Sequence, residues 1–443
     1  MDISQFLLCT LVAAPGLAFL GLALTWLLGA EPSERAITRI TQLAMAVSGL
    51  SFIALLVLLY AAGAGLEATV NLGEWFRVRE YSFPLILFVD WLSVPLVGLT
   101  VLLTALVGAF SVTYMHRETG FLRFFLLLNL YSFGALLVLT AGSFDLLIGG
   151  WELAGISSVM LIAFFEHRTG PVRNAIRVFA TYRACDVGLL VGTFLMHHFA
   201  HTATYAGLLA TPRLTGTAAA MVAALLVLAA SGKSAQLPFS GWLPRAMEGP
   251  TPSSAVVYGA ISVHLGAYLL LRAEPILMAA PLVAGAVVVI GATSAIYGTL
   301  AARACSDVKA ELAFAALSQL GLIFVEIGLG WSTLALMHIL GHATVRTLQF
   351  LRAPSMLHDY HQLHSAAGGA LPQNAGQFDA WLPVGWRLWL YRFAMDRGHL
   401  DSLVDRGFAN PMHAVSGWVG APTRFIRRLV TPASRPGPKK ELD

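Results

Sequence analysis

The segment Gly232-Lys-Ser-Ala-Gln-Leu-Pro-Phe-Ser-Gly-Trp-Leu-Pro-Arg-Ala-Met-Glu-Gly-Pro-Thr-Pro-Ser-Ser254 follows the purely apolar run 218–230. It places a lysine in a stretch that is apolar enough to span a membrane. The helix is then expected to break, because Pro238 cannot donate to the carbonyl four residues earlier and Pro244 prevents the helix from restarting directly. Backbone groups freed at membrane depth are tolerated only where they face protein or a water-filled cavity. An ammonium group beside such a break is usually functional, so Lys233 is a candidate for an ion pathway. A lysine that snorkels to the membrane surface is the alternative interpretation.

The composition around this segment is that of an integral membrane protein. Of the 443 residues, 57% are hydrophobic and 12% are charged, whereas soluble domains carry roughly 25% charged residues. The first apolar stretch, 5–28, lacks a cationic start and a cleavage signature, so we expect a retained span and no signal peptide. The three cysteines, Cys9, Cys185 and Cys305, are far apart and predict neither a disulfide framework nor a metal site.

Apolar runs of about 20 residues predict an all-α polytopic fold with about 11 transmembrane helices. The predicted spans lie near 5–29, 37–63, 84–115, 121–141, 144–165, 175–199, 217–247 (broken), 254–272, 276–301, 309–330 and 331–352. We divide the chain into N-terminal helices at 1–115, a core repeat with the broken helix at 116–275, a shortened second repeat at 276–352, and a C-terminal region at 353–443.

The basic residues of the loops predict the orientation. With the N-terminus outside, the inner loops carry Arg35, Arg39, Arg117, Arg123, Arg168, Arg173, Arg177, Arg245, Arg303, Lys309 and Arg352. The outer loops carry only Arg77, Arg79, Arg213 and Arg272. This asymmetry follows the positive-inside rule and places the C-terminus in the cytoplasm.

The C-terminal region changes in character after Arg352. Residues 354–383 hold three histidines and several polar residues, and predict a cytoplasmic loop without a span. Residues 386–397 and 418–430 mix aromatic side chains with arginines, which is typical of amphipathic helices that lie in the membrane interface. The final residues, 432–443, have the composition of a disordered basic tail.

A second ionisable group lies deep within a predicted span. Glu152 is about eight residues into its helix, or about 12 Å deep at 1.5 Å per residue. Burial disfavours both charges, so a pair of Glu152 and Lys233 could exchange a proton, as a relay requires. A static ion pair that holds two helices in register is the alternative. Arg183 and Asp186 are three residues apart on one helix face and are expected to pair locally, in a structural role.

Histidines and further charges mark the later spans. His338, His342 and Arg346 form a stripe at i, i+4 and i+8, and His264 lies in the middle of an earlier span. Histidine titrates near neutrality, so we interpret the stripe as a proton-accessible line. The same spacing could bind zinc, but no third ligand lies nearby in sequence and no metal site is predicted.

The span that begins near residue 309 opens with Asp307, Lys309 and Glu311, which helix capping and interfacial anchoring explain as well as function does. Glu326, further along, is a candidate member of the polar axis. The sequence contains no Walker A motif, no dinucleotide-binding glycine motif and no serine-hydrolase elbow, so a nucleotide site is not predicted.

Several motifs in this order resemble one family of membrane proteins. They are Gly150-Trp-Glu152, Tyr182-Arg-Ala-Cys-Asp-Val-Gly-Leu-Leu190, Gly232-Lys-Ser-Ala-Gln-Leu-Pro238, Trp242-Leu-Pro-Arg-Ala-Met-Glu-Gly-Pro-Thr-Pro252, Asp307-Val-Lys309, Ser318-Gln-Leu-Gly321 and Met337-His-Ile-Leu-Gly-His342. Residues 80–352 resemble the antiporter-like proton-translocating subunits of respiratory complex I, especially the L subunit, and of the Mrp sodium/proton antiporters.

The resemblance implies a proton path along a polar axis in the middle of the membrane. By position, Glu152 matches the family's key glutamate, Lys233 its broken-helix lysine, and His338 and His342 its histidines in the later helix.

The chain departs from the family in three places. Tyr258 stands where the family often has a histidine, with His264 a few residues on, and Arg346 stands where it has a lysine. The family's second repeat normally continues into another broken helix, whereas this chain runs into the loop at 354–383.

A shortened member with the segment 351–360 after its last span is most similar to the DabB-type membrane subunits of the DAB inorganic-carbon accumulation systems. That similarity implies a bacterial inner-membrane protein without a cofactor of its own. It further implies a large cytoplasmic zinc-binding DabA-like partner that converts CO₂ to bicarbonate, driven by the proton gradient through this chain. The alternatives are a subunit of a complex I-like, hydrogenase-linked or Mrp assembly, and a scaffold that anchors a soluble enzyme.

Overall fold

The computed structural model describes residues 2–30, 32–63, 65–78, 81–210, 214–305, 307–366, 383–396, 406–407, 410–412 and 414–415. The first helices and the strands are α1 (Ile3–Leu27), α2 (Glu34–Ala61), β1 (Ala68–Val78), β2 (Tyr81–Val89), α3 (Ser93–Tyr114), α4 (Phe121–Thr140), α5 (Phe144–Ile162), α6 (Thr169–Ala200), α7 (Tyr205–Ala210) and α8 (Gly216–Lys233). The remaining helices are α9 (Thr251–Ser254), α10 (Ser262–Arg272), α11 (Glu274–Met278), α12 (Pro281–Arg303), α13 (Val308–Gly328), α14 (Ser332–Ala366) and α15 (Val384–Met395).

The fold is the predicted all-α polytopic membrane fold. Within the described residues, 10 helices are long and apolar enough to cross a membrane, including the continuous segment Thr251–Arg272, which joins α9 and α10. The predicted span 331–352 is helical as the first part of α14, but it is not among those 10. Its histidines, Arg346 and Gln349 lower its hydropathy, because they place polar side chains where the other spans carry aliphatic ones.

One predicted boundary is wrong. The span expected at 84–115 begins only at Ser93, because 81–89 form a strand that pairs with β1 in an antiparallel hairpin. The register runs from Ala68 opposite Val89 to Val78 opposite Tyr81, with irregularities around Glu74. Pro84 is tolerated in β2 because it lies opposite Glu74, where the ladder is already irregular. The apolar residues of β2 were assigned to the helix because a short apolar run fits either element.

The hairpin marks one end of the helix bundle, which we call the hairpin end. Leu87 forms a β-bridge to Ala141, between α4 and α5, and Gly142 donates to the carbonyl of Ile86 at 2.8 Å. Asp90 binds Arg272 at the end of α10. The starts of α3 and α5 and the end of α10 therefore meet at this end.

The opposite end carries most of the loop arginines, and we call it the arginine end. Glu34 at the start of α2 accepts hydrogen bonds from His116 and from the backbone N–H of Arg117, after α3. Arg123 at the start of α4 donates to the carbonyl of Phe164, after α5, at 2.6 Å. The helices thus alternate in direction, as the predicted topology requires.

Glycines let neighbouring helices approach closely. A Cβ atom at Gly150 of α5 would lie 2.6 Å from the backbone nitrogen of Val138 in α4, and one at Gly321 of α13 would lie 2.6 Å from the nitrogen of Ala295 in α12. Small residues at such crossings are how membrane helices gain packing, since lipid provides no hydrophobic force between them.

The C-terminal region differs in part from the sequence prediction. The loop expected at 354–383 is helical up to Ala366, because polar composition alone does not end a helix. Residues 367–382 lie outside the described part of the chain. The helix predicted at 386–397 is confirmed as α15, which presents Trp386 and Trp389 outward and buries Ala394. The second predicted interfacial helix, 418–430, and the tail 432–443 also lie outside the described residues.

Candidate functional site

The interruption after α8 is mostly enclosed by protein, with Pro238 and Glu248 exposed. The chain passes through two 3₁₀ turns, Phe239–Trp242 and Pro244–Glu248, before helix resumes at Thr251. The helix break predicted from Pro238 and Pro244 is therefore present.

Side chains bind the backbone groups that the break leaves free. The Gln236 amide donates to the carbonyl of Ser234 at 2.9 Å, in place of the N–H that Pro238 lacks. Trp242 Nε1 donates to the carbonyl of Gly232 at 3.0 Å. Such satisfaction is what allows irregular backbone at membrane depth.

Lys233 is the last residue of α8, and only 1% of it is exposed. Its Nζ atom donates to the backbone oxygen of Trp151 at 3.2 Å. It also lies 4.7 Å from the ring centre of Trp151 and 4.4 Å from that of Tyr182. Two aromatic faces and a carbonyl stabilise an ammonium ion in the absence of a counter-ion.

Glu152 and Lys233 do not form the direct ion pair considered from the sequence. Glu152 binds the guanidinium of Arg183 instead, while Arg183 Nη2 also contacts Asp186 Oδ2 at 2.7 Å. The planar guanidinium of Arg183 binds two carboxylates at once, whereas the ammonium group of Lys233 binds neither of them directly. The contact between Arg183 and Asp186 is the one that their spacing predicts.

Trp151 joins the acidic pair to the lysine. Its indole Nε1 donates to Asp186 Oδ1 at 2.5 Å, while its backbone oxygen accepts from Lys233. Asp186 and Glu152 are also the acidic groups that act electrostatically on Lys233. These five residues of α5, α6 and α8, namely Trp151, Glu152, Arg183, Asp186 and Lys233, form what we call the lysine cluster.

The histidines form a second group across α10, α13 and α14. His264 Nδ1 lies 2.7 Å from the carbonyl of Ala260, and its Nε2 lies 2.8 Å from Nδ1 of His342. A carbonyl only accepts, so Nδ1 of His264 carries the hydrogen, and in the neutral state His342 Nδ1 donates to His264 Nε2. His342 Nε2 is buried and has no partner among the described residues.

His338 continues the line one turn earlier in α14. Its Nδ1 lies 2.9 Å from Glu326 Oε1 and its Nε2 lies 3.0 Å from Gln319 Oε1. The carboxylate of Glu326 accepts a hydrogen from Nδ1, whereas the amide of Gln319 can either accept from Nε2 or donate to it. The rings of His338 and His342 are 6.4 Å apart, so the sequence-predicted residues Glu326, His338, His342 and His264 do meet. We call this group the histidine cluster.

Buried polar atoms fill the region around the broken helix, between the two clusters. Tyr258 packs near Trp242, whose ring lies 5.1 Å from that of Tyr182 at the lysine cluster. Within the part of the chain that the structure describes, several buried oxygens have no protein hydrogen-bond partner, namely those of the side chains of Ser231, Gln236, Ser240, Ser254 and Tyr258. Buried polar groups are rarely left unsatisfied, and water is their usual partner where protein supplies none.

The remaining predicted residues lie toward the arginine end. Lys309 Nζ is 3.5 Å from the carbonyl of Gly249, and Asp307 caps α13 by accepting from Ala310 N–H at 2.8 Å. Arg346 is buried on α14, one turn beyond His342, and Glu311 is the acidic group that acts on it electrostatically. These positions extend the polar line from the histidine cluster toward the start of α13.

Sequence reasoning missed several contributors. Trp151 and Tyr182 hold Lys233, and Gln319 holds His338. The aromatic residues were hidden because apolar rings are common in any membrane helix. Trp151 and Gln319 lie within two of the motifs that the chain shares with the family, Gly150-Trp-Glu152 and Ser318-Gln-Leu-Gly321. Membership of these motifs was the sequence signal that could have identified them.

Comparison with known proteins gives the family. Residues 141–369, half of the chain, match the family described as NADH:quinone oxidoreductase/Mrp antiporter, TM. The chain belongs to that family. Residues 75–125 also match the family described as NADH-ubiquinone oxidoreductase (complex I), chain 5 N-terminus. Both clusters lie within the longer match.

Individual relatives agree with this assignment. NADH-quinone oxidoreductase subunit L of Campylobacter jejuni is 34% identical over 290 residues, which are 65% of this chain and 48% of the relative. NADH-ubiquinone oxidoreductase chain 5 of Neurospora crassa is 30% identical over 294 residues, which are 66% of this chain and 41% of the relative. The chain therefore spans less than half the length of these relatives.

Two solved structures share the fold. The structure of the Mrp complex from a Dietzia species aligns with a TM-score of 0.66 at 27% identity, covering 77% of this chain and 37% of that one. An archaeal membrane-bound sulfane sulfur reductase, a respiratory membrane complex, aligns with a TM-score of 0.67 at 18% identity, covering 78% and 70% respectively. The second likeness, at that identity, concerns the fold alone.

Proposed function

We propose that this chain is a proton-conducting, energy-coupling membrane subunit of a multisubunit complex of the complex I/Mrp type. The observation that carries the proposal is the series of ionisable groups inside the membrane helices, from the lysine cluster, whose Glu152 and Arg183 side chains are partly exposed, past the broken helix to the largely buried histidine cluster. Isolated charges inside a bilayer are costly, so two groups of them with polar side chains of the broken helix between them are expected to serve ion movement.

Lys233 is the group best suited to change its charge. Its ammonium is held by a carbonyl and two rings, and no carboxylate in the described ranges lies within ion-pair distance of it. Arg183 is permanently charged and neutralises Glu152 and Asp186 only in part, since it offers one positive charge to two carboxylates. The cluster is therefore neutral when Lys233 is protonated and carries a net negative charge when it is not. A proton at Lys233 is thus favoured electrostatically by its neighbours and disfavoured by burial.

The coupling ion and the direction of movement belong to the same proposal. The histidine cluster presents three imidazole rings, whose nitrogens can accept and donate protons but are poor ligands for Na⁺. Sodium prefers several oxygen ligands, whereas the described cluster offers imidazole nitrogens with only Glu326 and Gln319 as side-chain oxygen donors. Protons would enter from the side of the hairpin end, and the charge change would act on partner subunits.

The first experiment measures proton flux in membrane vesicles that contain the chain with its native partners, using a pH-sensitive dye. We expect Lys233→Ala to lower the flux at least about tenfold, because it removes a buried proton carrier. Glu152→Gln should lower it too, whereas Lys439→Ala in the C-terminal tail is the matched control and should not. Flux at the unsubstituted rate in both Lys233→Ala and Glu152→Gln, with normal membrane insertion, would contradict the proposal.

The inorganic-carbon role is a second candidate, in which the same proton-conducting chain serves a different assembly. It is supported by the similarity of segment 351–360 to DabB-type subunits, and it calls for a large cytoplasmic zinc protein as partner. Affinity purification of the tagged chain from native membranes tests it. Recovery of one large zinc protein supports the carbon role, whereas quinone-linked, hydrogenase-linked or Mrp subunits would identify the complex I/Mrp assembly and exclude the carbon role.

A further inference from the structure

A cleft between α2 and α3 opens at the arginine end, far along the chain from the ionisable clusters. Its polar mouth has a volume of about 740 Å³ and is lined by the first turns of α2, with Arg35, Thr38 and Arg39, and by His116 after α3. We call it the α2–α3 cleft. None of these residues takes part in the proposed proton path.

An apolar groove continues from the mouth. Gln42 lines both, and the groove has a volume of about 460 Å³ between Gln42 and Ile53 of α2 and the facing residues of α3. Eleven helical steps of 1.5 Å make it roughly 16 Å long, which is about the depth of one leaflet of a 30 Å hydrocarbon core. Gly49 and Ala105 line the groove with little bulk, since glycine has no side chain and alanine has only a methyl group.

The mouth offers positive charge and an unused hydroxyl. The mouth also contains the carboxylate of Glu34, which already binds His116 Nδ1 at 2.7 Å and the backbone N–H of Arg117 at 2.9 Å. Within the described ranges no carboxylate forms an ion pair with Arg35 or Arg39, both of which are exposed. Thr38 is 8% exposed, and its Oγ1 atom has no hydrogen-bond partner in the same part of the chain. The first turn of α2 adds the positive end of the helix dipole.

We propose that the α2–α3 cleft binds one anionic phospholipid. The phosphate lies between Arg35 and Arg39 and accepts from Thr38 Oγ1, and one acyl chain follows the groove past Gly49. A free anion would use the mouth but leave the apolar groove exposed, and a zwitterionic lipid would leave a positive charge uncompensated. A lipid with a net negative headgroup would neutralise the basic mouth with its phosphate and fill the apolar groove with an acyl chain. Basic pockets between membrane helices are expected to bind such lipids.

The experiment uses the purified full-length chain in detergent, with its copurified lipid removed. Phosphatidylglycerol and phosphatidylcholine with the same acyl chains are titrated separately, and bound lipid is counted by native mass spectrometry. We expect phosphatidylglycerol to bind with one-to-one stoichiometry and more tightly than phosphatidylcholine. Equal binding of the two lipids would overturn the proposal, and so would equal stabilisation of the protein by inorganic phosphate alone.

Variants separate the two parts of the site. Arg35→Gln with Arg39→Gln should weaken phosphatidylglycerol binding about 25-fold, since each basic residue near an anionic lipid contributes roughly fivefold. Gly49→Leu should fill the groove, where a Cβ atom meets only Val101, at 3.6 Å, and should also weaken binding. Arg168→Gln with Arg173→Gln removes the same charge from another cleft of the arginine end and should leave binding unchanged. Loss of binding in this control, or retention in both test variants, would overturn the site.

Discussion

Asp90 shows how a single buried carboxylate can fix the end of a helix. It holds Arg272 through N–O distances of 2.6 and 2.7 Å, and Arg272 also donates from Nε to Tyr268 at 2.8 Å. Burial raises the pKa of the Asp90 carboxyl, but its hydrogen bond to Arg272 and the charge of that arginine outweigh burial. The pKa therefore lies below its ordinary value of 3.8.

Asp90→Asn is expected to destabilise the protein by about 3–5 kcal/mol at neutral pH, because it leaves Arg272 buried without its counter-charge. The pKa of Asp90 is lower in the folded protein than in the unfolded chain. The stabilisation that the Asp90–Arg272 pair provides is therefore complete above the unfolded pKa of about 3.9 and is lost as the pH falls through the folded pKa. Thermal denaturation in detergent should therefore show a constant deficit from about pH 5.5 to pH 8 and a shrinking one below about pH 4.

Glu74→Gln is the control for that prediction, because Glu74 pairs with Arg77 on the exposed hairpin. It should not change the midpoint of denaturation measurably. A deficit of Asp90→Asn that grows as the pH falls would contradict the assigned role.

At the scale of residues, the sequence identified the ionisable members of both clusters but not how they pair. Lys233, Glu152 and the histidines were recognisable because charges are rare in membrane spans. Which carboxylate faces which cation depends on the rotation of each helix about its axis, and boundaries uncertain by a few residues leave that rotation undetermined. The sequence for that reason suggested a pair of Glu152 with Lys233, whereas Arg183 binds the glutamate.

At the scale of elements, the crossing of α4 and α5 positions the lysine cluster. Gly150 directly precedes Trp151 and Glu152, and its Cα faces the backbone of α4 near Val138 and Gly134. The preceding residue, Gly149, has open space around it. Two adjacent glycines of one helix thus have different roles, and only one is required by packing.

Gly150→Ala should destabilise the protein by about 1–3 kcal/mol, because a methyl group there overpacks the interface of α4 and α5. It should also lower proton flux, since α5 must shift and carries Trp151 and Glu152 with it. Gly149→Ala, at the neighbouring exposed position, should leave both stability and flux unchanged or slightly improve stability. The two variants are compared by thermal denaturation and vesicle flux, and equal behaviour would refute this account of the crossing.

Elements with a long apolar run or a group of prolines were predictable from the sequence, and those with a short or polar sequence were not. The spans from α4 to α6 and the break after α8 were located because long apolar runs and prolines leave few alternatives. Strand β2 was merged into a helix, and α14 was ended too early at 352, since neither a nine-residue apolar strand nor a polar helix carries a distinctive composition.

At the scale of the whole molecule, the two ends of the bundle differ in charge. The hairpin end unites β2, the α4–α5 turn and the end of α10, and the arginine end unites the starts of α2 and α4 with the loops after α3 and α5. The loop arginines predict that the arginine end faces the cytoplasm. The structure provides the alternation of helices on which that prediction depends.

Cysteine labelling in intact cells tests the orientation. In a background with Cys9→Ser and Cys305→Ser, we expect Leu72→Cys on the hairpin to react with a membrane-impermeant maleimide. His167→Cys at the arginine end should react only after the cells are permeabilised. The background chain without either added cysteine is the control, because Cys185 is buried. The reverse pattern would show that the chain is inserted in the opposite direction.

The hydrogen bond between His264 and Ala260 restricts how protons can travel along the imidazoles. A proton that reaches Nε2 of His264 makes the ring cationic, but the carbonyl beyond Nδ1 cannot take the other hydrogen and hand it on. Without rotation of that ring, the charge can only return toward His342. Net delivery past this point therefore requires the imidazole to swing away from the backbone, so side-chain reorientation, rather than the proton hops themselves, would set the turnover of the line.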